Sequence, residues 1–129
     1  DVLKALDRLG IDGALAEKIG LRVQKVDLIW PLEPEGTRRF ADGLQEILVV
    51  EEKRPTVETQ IKDMLYNQPV RPVIVGKTST SSIWATSTDD WLLPPAFQLN
   101  AEMIRGAAPA LLAGLGCIDA VAGRRNGVA

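Results

Sequence analysis

Glu46-Ile47-Leu48-Val49-Val50-Glu51-Glu52-Lys53-Arg54-Pro55 is the stretch around which the rest of the chain is organised. Its apolar run, Ile47 to Val50, is mostly β-branched and has no polar residue in alternation. That is the pattern of a strand covered on both faces, as in parallel sheets. Four charges follow at once, Glu51 to Arg54, and Pro55 then pre-sets the backbone for a helix. In that helix Val57, Ile61, Met64 and Leu65 fall at helical spacing and form one apolar face. The stretch is therefore a β-to-α turn, and in open α/β sheets ligands and partners are met beyond the carboxyl ends of the strands. Glu51, Glu52, Lys53 and Arg54 are accordingly the leading candidates for an interface or ligand-binding surface.

Upstream of this turn, Asp1 is placed to cap a helix carrying Val2, Ala5, Leu6 and Leu9, with Gly10 as its stop. A helix cap at the first residue is expected of an excised domain. Asp12 caps a second short helix with Leu15 and Ile19, which Gly20 ends. Leu21 to Ile29 reads as a strand by its Val and Ile content, against the interruptions of Lys25 and Asp27, and Trp30-Pro31 stops it. Pro34 suits the first turn of a further helix, with Glu33 and Glu35 at its positive end and Phe40 and Leu44 on its buried side.

Downstream, Val73-Ile74-Val75 is another buried strand. Strands alternating with helices over this distance predict a parallel or mostly parallel sheet with helices on both faces. Lys77 to Ala96 departs from the rhythm: it is rich in Ser and Thr, yet Trp84, Trp91, Leu92 and Leu93 are costly to leave in water. A loop this long is expected to pack on the domain or on a neighbour. Asn100 then caps a helix with Met103, Ile104, Ala107, Ala108, Leu111 and Leu112 on one side, which Pro109 should kink or split. Residues 116–129 have turn-like composition and read as an interdomain linker or tail, leaving one α/β domain over residues 1–115.

Composition narrows the chemistry. The chain has 129 residues, 46% hydrophobic and 25% charged, enough for one domain with its own core. With 15 basic and 17 acidic residues its net charge is -2, so no basic field exists to draw nucleic acid or anionic lipid. It contains no histidine, which excludes a His-based triad, proton shuttle or His-ligated zinc site. One cysteine, Cys117, rules out an internal disulfide, and with no basic neighbour it reads as an inert thiol. No apolar stretch approaches the roughly 20 residues that span a bilayer. These features fit a cytoplasmic protein.

Individual motifs are weak. Gly76-Lys77-Thr78 after a strand matches the end of a phosphate-binding loop, but Arg71 stands where the loop needs another glycine, so the match reads as chance. Glu51 and Glu52 could form an acid and base pair, yet adjacent residues of a strand point to opposite faces, and Lys53 and Arg54 are at hand as ion-pair partners. Ion pairing or an interface contact is the better reading. Trp30 reads as a core or interface aromatic.

Taken together, Trp30-Pro31-Leu32-Glu33-Pro34, Leu48-Val49-Val50-Glu51-Glu52-Lys53-Arg54-Pro55 and Val75-Gly76-Lys77 resemble, in order and spacing, indolepyruvate ferredoxin oxidoreductase, a thiamine-diphosphate-dependent 2-oxoacid oxidoreductase family. The resemblance runs from Asp1 to Leu112. It implies a domain similar to the C-terminal domain of transketolase: a three-layer α/β/α sandwich around a mixed, mostly parallel five-stranded sheet with one antiparallel strand. In the family a strand precedes the segment starting Asp1-Val2, so the expectation is that this piece lacks its first strand or has lost it to disorder.

The family holds thiamine diphosphate through magnesium with a Gly-Asp-Gly motif, which neither Ile11-Asp12-Gly13 nor Ala41-Asp42-Gly43 supplies. Iron-sulfur clusters need several cysteine thiolates, and one cysteine cannot ligate them. The resemblance thus implies a non-catalytic structural and interaction domain, with no cofactor of its own. Its parent enzyme would oxidatively decarboxylate aryl 2-oxoacids to acyl-coenzyme A and reduce ferredoxin, with the parent's other domains, and a second copy in a homodimer, as partners. The competing reading is a small-molecule or anion-binding module, for a coenzyme A-like or regulatory ligand, at the carboxyl end of the central strand. Candidate residues on either reading are Glu51, Glu52, Lys53, Arg54, Trp30 and Glu33.

Overall fold

The computed structural model describes residues 2–77, 91–93, 98–106 and 122–125. In chain order these form α1 (Val2–Arg8), α2 (Gly13–Ile19), β1 (Leu21–Val23), α3 (Pro34–Ala41), β2 (Leu44–Leu48), α4 (Thr56–Leu65), β3 (Val73–Val75), a helical segment at 101–106, and β4 (Ala122–Arg125). The class is α/β, as the alternation of apolar runs predicts.

The helix boundaries follow local chemistry. The Asp12 carboxylate accepts a hydrogen bond from the Leu15 N–H at 2.8 Å and starts α2, and Gly20, at φ 76°, ends it in the left-handed conformation that glycine adopts without a side-chain clash. Pro34 opens α3, where Glu33 accepts from the N–H groups of Glu35 and Gly36 at 2.9 and 2.6 Å. Asn100 accepts from the Met103 N–H at 3.0 Å ahead of the helical residues 101–106. No helix among the described residues is long and apolar enough to cross a membrane.

The sheet order is β1-β4-β2-β3. β2 and β3 are parallel, with Ile47 opposite Ile74, and β4 runs antiparallel to both β1 and β2. Alternate residues of the central stretch feed opposite faces. Ile47 and Val49 join Ile74 and the buried faces of α3 and α4 through Ala41, Val57, Ile61 and Leu65. Leu48, with Val50 packed alongside, joins Val75, Ala5 of α1, Leu93, Ala101 and Ile104. Helices therefore lie on both faces, which is why the run from Ile47 to Val50 carries no polar residue.

Three expectations are corrected. The central strand begins at Leu44, three residues ahead of the apolar run, because Glu46 is itself buried within it; Leu44 is a strand residue, α3 having ended at Ala41. β1 stops at Val23, and Lys25 and Asp27 pair with each other at 2.9 Å on the surface instead of continuing it. The linker expected at 116–129 contains β4, whose register (Leu21 opposite Arg124, Leu44 opposite Arg125) inserts it between β1 and β2. The described sheet has four strands where the resemblance implies five. Trp84, Pro109, Cys117 and the apolar positions Ala107, Ala108, Leu111 and Leu112 lie outside the described residues. Within the long loop, Leu92 and Leu93 turn back onto the domain, their N–H groups donating to the Lys77 carbonyl at 2.7 and 3.2 Å.

Candidate functional site

Beyond Leu48 the chain takes one more step of pairing with β3, the Val49 N–H donating to the Val75 carbonyl at 2.8 Å. It then turns, with Lys53 at φ 59°. Pro55 provides no side-chain cap for α4. Glu51 does so instead: its Oε2 accepts from the Val57 N–H at 2.8 Å and its Oε1 from the Glu58 N–H at 3.0 Å. Two donors that a helix leaves open at its start are thus satisfied by a carboxylate, the charge that the start of a helix favours. Burial nevertheless pushes the Glu51 carboxyl above its usual range, against the pull of those two hydrogen bonds and of Lys77.

One turn on, Glu58 is 1% exposed. Its Oε2 accepts from the Lys77 N–H at 3.1 Å and its Oε1 from Lys62 Nζ at 2.7 Å. The Lys77 side chain, also 1% exposed, sends its ammonium across to the Glu51 carbonyl. Burial draws the Lys77 ammonium below its ordinary range, opposed by the Glu51, Glu58 and Glu52 carboxylates. A Cβ on Gly76 would stand 2.3 Å from Glu58 Oε2, so the carboxylate lies where only a glycine fits. The knot ties the ends of β2 and β3 to the first turn of α4 and to residues 91–93.

The candidates therefore separate. Glu51 is inside the knot with both oxygens committed, so it forms no acid and base pair with Glu52. Glu52, Lys53 and Arg54 are exposed, and Lys53 and Arg54 make no ion pair among the described residues. Glu33 is spent on capping α3, and those two backbone bonds hold its carboxyl below the usual range. Trp30 is 68% exposed and so is not a core residue.

Trp30 stands at the tip of an apolar ridge. Leu28 and Ile29, next to it in the chain, are exposed too, as are Leu3 and Val23, which share a groove with Ile29. The Gln60 side chain on α4 fixes the segment from both sides, accepting from the Leu32 N–H at 2.8 Å and donating to the Ile29 carbonyl at 2.7 Å. Leu32 is buried against α4, and the Trp30–Pro31 peptide is cis. Beside the ridge a groove of about 410 Å³ is lined by Leu3, Val23, Val26, Ile29, Val50 and Val57, with Glu51 at its edge. Exposed apolar residues in such number make this the leading candidate for an interaction surface among the described residues.

A family model for the indolepyruvate ferredoxin oxidoreductase middle domain matches residues 1–126. The chain belongs to this family. Its matched stretch is 30% identical over 87 residues to the indolepyruvate oxidoreductase subunit IorA of Thermococcus kodakarensis, covering 67% of this chain and 12% of that protein. The chain thus spans a minor part of the length of this curated relative. No solved structure matches it.

In this middle domain, the residues that hold the site together were only partly visible in the sequence. Glu58 and Lys62 stand four apart on one helix, a readable pairing signal. Lys77 and Gln60 gave none, because their partners are 19 to 31 residues away. Asp12 is committed to capping α2, Asp42 sits at the end of α3, and no group of three potential metal ligands occurs among the described residues.

Proposed function

We propose that this chain is a non-catalytic structural and interaction domain of an indolepyruvate, or more broadly aryl 2-oxoacid, ferredoxin oxidoreductase, and that it docks through the Trp30 ridge onto another domain or subunit of that enzyme. The whole protein would oxidatively decarboxylate the 2-oxoacid to acyl-coenzyme A in the cytoplasm and pass electrons to ferredoxin. Thiamine diphosphate, magnesium and iron-sulfur clusters would be held elsewhere in it. On this reading the helix-covered sheet, with β4 inserted between β1 and β2, is the core of a transketolase C-terminal-like domain.

The observation that carries the proposal is the ridge itself. A tryptophan held outward between two anchored neighbours costs little conformational entropy on docking, and such rigid aromatics dominate interface energetics. In the whole oxidoreductase, Trp30→Ser is expected to weaken subunit or domain association by at least about tenfold, since truncating an aromatic anchor costs about 2 kcal/mol or more. Gel filtration and sedimentation read the loss. Association equal to wild type would overturn the docking surface. If a small molecule fills the groove instead, coenzyme A, thiamine diphosphate or a 2-oxoacid will raise the melting temperature, as a ligand at a hundredfold its Kd adds about 2.7 kcal/mol.

A further inference from the structure

The opposite end of the sheet carries a second feature. Arg38 and Arg39, in the last turn of α3, and Arg71, just ahead of β3, line one cleft of about 400 Å³ at the amino-terminal ends of β2 and β3. Its apolar part comes from Leu44, Leu65, Val70 and Pro72. Asp42 supplies its one carboxylate, against three guanidinium groups.

The surroundings are basic too. Arg22 on β1 donates to the Phe40 carbonyl at 2.8 Å, its guanidinium lies 3.9 Å from where a Cβ on Gly43 would stand, and its Nε is buried without a hydrogen-bond partner among the described residues. The strand register brings the Arg124 and Arg125 positions of β4 to this same end, opposite Leu21 and Leu44. Arg22, Arg38, Arg39 and Arg71 thus gather at one end of a protein whose net charge is -2.

Arginines in a last helical turn commonly complement the helix dipole. That accounts for Arg38 and Arg39 but not for Arg71, which comes from another segment. None of the three makes an ion pair among the described residues, and the one side-chain hydrogen bond of Arg71, to the Gln68 carbonyl at 2.7 Å, leaves other N–H donors open. The cleft is concave, falls within the size range of small-molecule sites, and offers Arg without Lys. The planar guanidinium fork matches phosphate oxygens two at a time.

We propose that this cleft binds a phosphate-bearing small molecule of the nucleoside diphosphate class, its phosphates on Arg38, Arg39 and Arg71 and its organic body against Val70 and Leu44. The site is distinct from the Trp30 ridge and from the carboxyl end of the central strand. ADP is the probe, titrated into the intact protein by calorimetry, with adenosine and a glutamate-rich peptide alongside. ADP should bind with a Kd below about 1 mM, adenosine far more weakly. Arg71→Gln and Arg38→Gln, both exposed and so expected to fold normally, should each weaken ADP about tenfold, as loss of a charge-assisted contact does. Arg71→Lys should recover only part of it. The proposal is overturned by absence of ADP binding, by binding that the arginine variants leave unchanged, or by an acidic peptide that binds more tightly than ADP.

Discussion

The two ends of the sheet treat charge in opposite ways. At the carboxyl end, Glu58 and Lys77 are withdrawn from water, Glu51 is half-buried, and every one has partners: helix N–H groups, a backbone N–H, an ammonium, a carbonyl. At the amino end, Arg38, Arg39 and Arg71 stand around an open cleft with few. A buried and satisfied charge network holds structure in place and has nothing left to offer a ligand. Convergent charges that remain unpaired at a concave surface have the reverse character. The contrast is between charges already spent on the fold and charges still open to a ligand.

The sharpest way to break the comparison is Glu58→Ala. It leaves the buried Lys77 N–H without its acceptor and removes the carboxylate facing Lys62 and Lys77, a class of change that costs about 3–5 kcal/mol. Urea unfolding with an unchanged slope reads the loss directly. Gly76→Ala should act the same way for a steric reason, since its Cβ would overlap Glu58 Oε2, at about 1–3 kcal/mol. A loss under about 1 kcal/mol for Glu58→Ala would show that the knot is not what holds these elements together.

The same contrast explains what could be read beforehand. Val73 to Val75, the helix after Pro55, and the starts at Asp12 and Pro34 were legible because propensity, capping and hydrophobic period are local. The start of the central strand was not. Gln45 and Glu46 read as polar, and only the sheet pairing of Leu44 with Arg125 and of Glu46 with Val73 makes them strand residues. β4 was hidden for the same reason, as Ala122-Gly123-Arg124-Arg125 has turn composition and becomes a strand by inserting between two others. At the site, sequence located the turn after the central strand but set Lys77 aside as a chance motif, because nothing local says that its side chain crosses to Glu51. The arginine cleft is assembled from segments more than 30 residues apart and has no motif at all.

A smaller test concerns Glu51. Its carboxyl is raised by burial above the ordinary 4.5, so the folded state holds that proton more tightly than the unfolded chain. Over the range just above 4.5 the unfolded state therefore sheds its proton first, and the contribution of Glu51 to stability falls as pH rises. Relative to Glu51→Gln, wild type should lose part of its advantage as pH rises through and above 4.5. Partial exposure keeps the change under about 1 kcal/mol. An advantage that grows with pH would mean that the Val57 and Glu58 bonds and Lys77 outweigh burial.

The smallest expected effect on the domain itself is at Glu52, adjacent to the knot but outside it. Glu52 is exposed and borders a small cleft of about 240 Å³ with Val2, Val50, Leu99 and Ile104. An exposed charge of this kind changes stability by no more than about 0.5 kcal/mol when removed, so the melting temperature of the domain should scarcely move in Glu52→Ala. In the assembled oxidoreductase the outcome depends on what lies over that rim. A neighbouring domain that covers it must bring a partner for the carboxylate, and stripping one member from a desolvated pair costs several kcal/mol, whereas an exposed pair is worth at most about one. We therefore expect Glu52→Ala to weaken assembly or activity of the whole enzyme while sparing the domain. Equal melting loss in domain and enzyme, with activity per folded molecule unchanged, would place Glu52 with Glu51 as a residue that serves only its own fold.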